Sequence, residues 1–140
     1  MGVKPGDTIQ LMADLTRVAW NARRVGERFN AEECLTAFAD AVGSRGDLLI
    51  PAFNFDLRDG DAFDIKRSRS ISGALANAAI DHERFQRTPH ALHSFAVTGA
   101  HADQQVTSDE PGSFGPRSPF AFLLAQKGTL IAINLPLNDA

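Results

Sequence analysis

An unbroken apolar run, Leu48-Leu49-Ile50-Pro51-Ala52-Phe53, follows a segment that carries the signals for both ends of a helix. Asn30 can cap, and Glu33 stands three residues on, as in a capping box. Leu35, Phe38, Ala39 and Val42 recur at helical spacing, and Gly43 fits the position just past the last turn. An apolar run after such a helix suggests a buried strand of a parallel sheet. Upstream, Lys4-Pro5-Gly6-Asp7 is a turn, and Thr8 to Met12 alternates weakly as a strand. Residues 7–53 therefore read as one β-α-β unit with a right-handed crossover. That unit commits the chain to the α/β class, as a layered α/β/α fold with a mostly parallel sheet. The 140 residues suit a single α/β domain over residues 1–140.

The later elements follow the same logic. Ser72 to Ile80 is alanine-rich and helical, with Ser70 or Ser72 as cap. Phe95 to Val97 is a short apolar strand closed by Gly99. Ala100 to Gly112 is polar, as loop or short helix. Ser118-Pro119 opens a helix with Phe120, Leu123 and Leu124 facing inward, and Gly128 ends it. Thr129 to Asn134 reads as another buried strand, followed by a loop from Leu135 to Ala140.

Composition removes several functions. A net charge of −3 gives no pull toward nucleic acid or anionic membrane. The only cysteine, Cys34, excludes an internal disulfide and reads as a small core residue. No stretch approaches the ~20 apolar residues of a membrane helix. The N-terminal residues carry no apolar leader, and a cytoplasmic location is expected. With ten Phe and no Tyr, tyrosine acid–base chemistry is excluded within these residues.

Candidate functional residues cluster at strand ends, where α/β folds put binding loops. Asp14 follows the first strand. Arg17, Arg23, Arg24 and Arg28 make either a solvated face or a patch for a phosphorylated cofactor or substrate. Trp20 among them serves packing or stacking. Asn54 and Asp56 follow the second strand. Asp59, Asp61 and Asp64 in the loop beyond are either solvated loop acids or acceptors for an amino group or cation on a substrate. Arg87, Thr88, His90, His93 and Ser94 lead into the strand at Phe95, and His82 and His101 lie beside them. His90 and His93 with Asp103 offer a weaker alternative, a metal site of a hydrolase, and no metal is expected. No Gly-x-Ser-x-Gly elbow is present.

Taken in order, these landmarks resemble the aminoglycoside 3-N-acetyltransferase family, most closely members acting on amino sugars of bacterial polysaccharides. The matching pieces are Val3 to Thr8, Gly46 to Asp56, Phe63-Asp64-Ile65, Ser72 to Leu75, Arg87 to Gly99, Ser113-Phe114-Gly115, Ser118-Pro119-Phe120 and Gly128 to Asn134. The resemblance implies an α/β/α fold that binds acetyl-CoA and acetylates the amine of an amino sugar or aminoglycoside, an antibiotic-resistance chemistry. It implies cofactor contacts from Asp14, Arg87, Thr88, His90 and Ser94, and substrate contacts from Asn54 and Asp56. Met12-Ala13-Asp14-Leu15 stands where the family has His-Ser-Ser-Leu, and His90-Ala91 where it has His-Pro. The family's base, the histidine of a Thr-x-x-His segment after the last strand, is expected beyond residue 140. The chain is therefore expected to be an N-terminal portion with an incomplete sheet and a tendency to form homo-oligomers. The alternative is a non-catalytic relative that binds a sugar or a protein.

Overall fold

The computed structural model describes residues 2–136. The first strand, β1 (Thr8–Ala13), leaves the turn at Lys4–Asp7, where the Lys4 N–H bonds the Asp7 carboxylate at 2.8 Å. Helix α1 (Leu15–Arg24) follows at once. Arg17, Arg23 and Arg24 thus lie on a helix, which Asp14 caps by accepting from the N–H groups of Thr16 and Arg17. Only Leu15 of α1 is buried, so no apolar stripe announced the helix.

Helix α2 (Ala31–Val42) has the expected Asn30 cap, and Gly43 adopts φ 68° beyond its last turn. Then come β2 (Asp47–Pro51), buried throughout, and α3 (Ala74–Asp81). Neither serine caps α3. Gly73 occupies that position, and Ser70 Oγ instead donates to the carbonyl of Phe53. The chain continues through β3 (Gln86–Arg87), β4 (Phe95–Gly99), α4 (Ala102–Val106), α5 (Pro119–Ala125) and β5 (Thr129–Ile133). Ser118 caps α5 by accepting from the Ala121 N–H, with Pro119 in the first turn.

The sheet order is β3-β4-β2-β1-β5. β1 pairs parallel with β2 and β5, but β4 pairs antiparallel with both β2 and β3. The mostly parallel sheet expected from sequence is corrected to a mixed one. The cause is a hairpin: β3 and β4 are its two arms, and the returning arm is the one docked on β2.

Helices lie on both faces. On one, Leu35, Ala39 and Val42 of α2 and Leu75, Ala76 and Ala79 of α3 pack on Ile9, Leu11, Leu48, Ile50 and Ala96. On the other, Leu49, Phe95 and Val97 meet Ala102 and Val106 of α4 and Phe120, Phe122 and Leu123 of α5. Each fully buried Leu or Ile here contributes about 1.5–3 kcal/mol of transfer free energy.

Two expectations of burial fail at the β5 end. Leu130 is 50% exposed and Leu124 of α5 is 82% exposed. β5 is the outermost strand, and Ile131 and Ile133 lean on the α2–α3 side. By alternation Leu130 and Ala132 face the other side, where among the described residues no helix covers them. The loop expected over Leu135–Ala140 lies outside the described residues from 137 onward.

Candidate functional site

Because β4 is reversed, its start lies level with the end of β2, and Phe95 pairs with Pro51. Four loops therefore share one rim of the sheet. They are the loop at Asp14 after β1, residues 52–56 after β2, the hairpin loop 88–94, and Leu135 after β5. A crevice opens at this rim between the ends of β1 and β2. Its walls are Met12, Ala13, Pro51, Phe53 and Leu75, and Ser72 adds a hydroxyl that accepts from the Phe53 N–H at 2.9 Å.

Below the rim lies a buried polar layer organised by Arg87, which is 6% exposed. Its Nε–H donates to Ser94 Oγ at 3.0 Å. One Nη donates to the carbonyls of Ser68 and Ile65, and the other to the carbonyl of Ala52 and to Asn54 Oδ1. A guanidinium has five N–H donors, and all five are spent inside the protein. Its flat face lies over the Phe63 ring at 4.9 Å. All its acceptors are uncharged, so burial, helped by nearby Arg69, lowers its pKa from the usual value. Ser94 is fully buried and donates to the Ala52 carbonyl at 2.6 Å. Thr88 is 2% exposed and clasps the hairpin: its N–H reaches the Phe95 carbonyl, and its hydroxyl accepts from the Phe95 N–H. Asn54, 1% exposed, donates to the Arg69 carbonyl. Arg87, Thr88, Ser94 and Asn54 thus hold the loops of the rim through hydrogen bonds within the protein.

The reachable chemistry sits in the hairpin loop. His90 Nδ1 accepts from the backbone N–H groups of Leu92 and His93 at 3.2 and 3.1 Å. Two donors at Nδ1 place the His90 proton on Nε2, which lies 3.3 Å from Ser113 Oγ. That hydroxyl is left to donate to His93 Nδ1 at 2.8 Å. His93 then carries its own proton on Nε2. Four phenylalanine rings surround this imidazole: Phe53, Phe55, Phe114 and Phe120, with centroids 5.0–5.9 Å away. Burial first, and then His90, hold the His93 pKa below its ordinary 6.5. His93 is therefore a neutral imidazole at neutral pH, orientated through Ser113 by His90. Phe53 both walls the crevice and stands against His93, so the two features touch.

The other two histidines do different work. His82 is buried, 3.2 Å from Thr36 Oγ1, and accepts from the Arg84 N–H. His101 pairs with Asp47 at the far end of β2. Asp103 accepts from Gln86 Nε2, and among the described residues no three His, Cys, Asp or Glu side chains converge as a metal site. Asp14 caps α1 beside the crevice, and Asp56 is exposed on the β2 loop. Trp20 is 59% exposed with Arg24 stacked on it at 5.0 Å. Burial pushes the Cys34 thiol pKa up, as befits a packing residue.

Sequence reasoning missed Ser113 and the phenylalanine cage. The one signal for Ser113 was its place in the Ser113-Phe114-Gly115 piece.

The whole arrangement has relatives. A family model described as aminoglycoside 3-N-acetyltransferase matches residues 18–140. Aminoglycoside N(3)-acetyltransferase VII of Streptomyces paromomycinus is 28% identical over 158 aligned residues, covering 98% of this chain and 52% of that protein. The solved structure of AAC-IIIb, a binary complex with CoASH, superposes with a TM-score of 0.79 at 25% identity, covering 98% of this chain and 56% of that one. Aminoglycoside acetyltransferase AAC(3)-Xa gives 0.75 at 25% identity, covering 98% and 53%. The chain spans about half the length of the curated relative it matches. No helix among the described residues is long and apolar enough to cross a membrane.

Proposed function

The chain belongs to the aminoglycoside 3-N-acetyltransferase family, and on that premise we propose that the whole protein transfers an acetyl group from acetyl-CoA to the amine of an amino sugar. The observation that carries the reading is the apolar crevice at the rim, whose wall residue Phe53 also packs against the His93 imidazole. A thin, largely apolar pantetheine arm fits walls made by Met12, Pro51, Phe53 and Leu75. Bound there, acetyl-CoA would supply the thioester that an amine attacks. A similar structure is a complex with CoASH, which supports the same cosubstrate here.

The residues then divide by what they can reach. Asp14 and His90 have side chains beside the rim and are the cofactor contacts in this proposal; a carboxylate accepts from pantetheine amide N–H groups. Arg87, Thr88 and Ser94 serve the cofactor by fixing the loops around it. Asp56 is the substrate contact, able to accept from an ammonium, and Asn54 holds the loop on which it stands. An ammonium is not nucleophilic until a base near neutrality takes its proton. The resemblance assigns that base to a Thr-x-x-His segment after β5, outside residues 1–140. His93 and His90 orient and exclude water beside it. Acetyl-CoA being an intracellular metabolite, the proposal carries a cytoplasmic location with it.

Calorimetry of the chain with CoA tests the site. Micromolar binding is expected, and Met12→Arg, which fills and charges the crevice, should abolish it. Thiol release from acetyl-CoA with a panel of amino sugars tests the reaction in the whole protein. CoA binding that is absent, or indifferent to Met12→Arg, refutes the placement.

A further inference from the structure

Ser113 stands on the segment between α4 and α5, and its place there is fixed. The Glu110 carboxylate accepts from the Gly112 N–H at 3.2 Å and from the Arg117 N–H at 3.0 Å, which closes the segment into a loop. Ser108 Oγ donates to the Arg117 carbonyl at 3.1 Å across the same loop. Gly115 packs so closely on Glu110 that a Cβ there would stand 2.2 Å from the carboxyl carbon. Ser113 is partly exposed, and Phe114 beside it is 72% exposed. With His90 and His93, Ser113 lines a hollow of about 20 Å³, room for one water.

The hydrogen bonds give the hydroxyl a direction. His90 Nδ1 accepts from two backbone N–H groups, so it is an Nε2–H that faces Ser113 Oγ at 3.3 Å. A hydroxyl that accepts there has its own proton for His93 Nδ1, 2.8 Å away. Burial keeps the His93 pKa below 6.5, so at neutral pH this imidazole can take a proton. A serine bonded to a neutral imidazole that is itself held in place is the arrangement that activates a nucleophile. Here the rings of Phe53, Phe55, Phe114 and Phe120 hold the imidazole.

We propose that Ser113 is an acyl-accepting nucleophile, with His93 as its base, that takes a short acyl group from a thioester or activated ester and passes it to water. Ser113 Oγ attacks the acyl carbonyl carbon as its proton passes to His93 Nδ1. The carbonyl oxygen takes the electron pair, and His90 Nε2–H, already directed at Oγ, is the donor beside it. Collapse breaks the bond to the leaving sulfur or oxygen, which departs with the proton from His93. A water from the hollow, deprotonated by His93, then attacks the acyl-serine. The acid leaves, and His93 returns the proton to Ser113 Oγ. These steps need no amine, no binding in the crevice at the rim and no base beyond residue 140. Their failure and the failure of the acetyltransferase reading are therefore separate results.

The test incubates the 140-residue chain with p-nitrophenyl acetate, without CoA or sugar, and follows nitrophenolate release. Release faster than in buffer is expected. Ser113→Ala should abolish the acceleration, and His93→Gln should reduce it about a hundredfold, the lower end of what a positioned base supplies. A second measurement treats the unaltered chain with phenylmethanesulfonyl fluoride, whose adduct water does not release, and maps the label by peptide mass spectrometry. One label on Ser113 is expected, and this readout does not depend on how a variant folds. A label found only on lysine or imidazole nitrogen, or no label, overturns the proposal. So does nitrophenolate release that matches buffer or that Ser113→Ala leaves unchanged.

Discussion

Replacing Arg87 by methionine removes five internal donors from beneath the rim and leaves the backbone of β3 in place. Two acceptors keep other partners: the Ala52 carbonyl still receives Ser94 Oγ, and Ser94 Oγ still donates to it. Asn54 Oδ1 does not, because Arg87 is its donor and the residue is 1% exposed. One orphaned buried oxygen costs ~1–3 kcal/mol. Losing the contact over the Phe63 ring adds ~0.5–1 kcal/mol. The carbonyls of Ser68 and Ile65 are only partly buried and can turn to water. Relief from burying a charge offsets part of the loss. The expected result is a destabilisation of about 3 kcal/mol, roughly a hundredfold in the folding equilibrium. Urea unfolding measures it, with the double variant Asn54→Leu/Arg87→Met as control. Since Asn54→Leu removes the orphan, the pair should cost about 1–2 kcal/mol less than the two single changes added together. Strict additivity, or Arg87→Met within 0.5 kcal/mol of the parent (about the effect of a neutral surface change), refutes the clamp. CoA affinity, measured where both proteins are folded, should change little; a large loss would mean that the guanidinium touches the cofactor directly.

The lowered His93 pKa gives a pH prediction. The folded protein binds fewer protons at this site than the unfolded chain, so stability is intact above the ordinary value of 6.5 and is lost as pH falls through it toward the lower folded value. Thermal melts from pH 8 to 5 should show this slope reduced in His93→Phe, and parallel profiles would contradict it. Gly99 has φ +130°, and a Cβ there would stand 2.1 Å from the Gly46 carbonyl oxygen. Gly99→Ala should cost more than about 3 kcal/mol and fail to accumulate as folded protein. Gly60, at φ +92° in open space, should tolerate Ala at about 1 kcal/mol, the backbone cost alone; equal losses at both positions would argue against the clash.

The elements that were legible in the sequence have local causes. Asn30 and Gly43 bracket α2, Ser118-Pro119 opens α5, and the run at Leu48 makes a central strand, because caps, turns and patterning act over a few residues. Non-local causes stayed hidden. Phe95 to Gly99 reads the same whichever way it runs, and only the docking of the hairpin decides its direction. Leu130 was expected inside because an apolar run does not say whether both faces are covered. Arg87 and Ser94 looked like ligand groups beside a strand. Their burial depends on the segment around Ile65 and Ser68 folding back over them, some twenty positions earlier in the chain. Ser113 joins the imidazoles from a similar distance, with only the Ser113-Phe114-Gly115 piece to mark it.

Reversing β4 does more than change the sheet's polarity. In an all-parallel sheet only the exits of strands reach the working edge, and each exit leads into a helix whose start limits its length. Here an entrance reaches that edge as well, and it belongs to a hairpin fastened at Thr88 and Phe95. The histidine-bearing turn can therefore lengthen, shorten or exchange side chains while the register of Leu48 to Pro51 stays as it is. A lineage built on this fold could diversify its chemistry there while leaving its foundations alone.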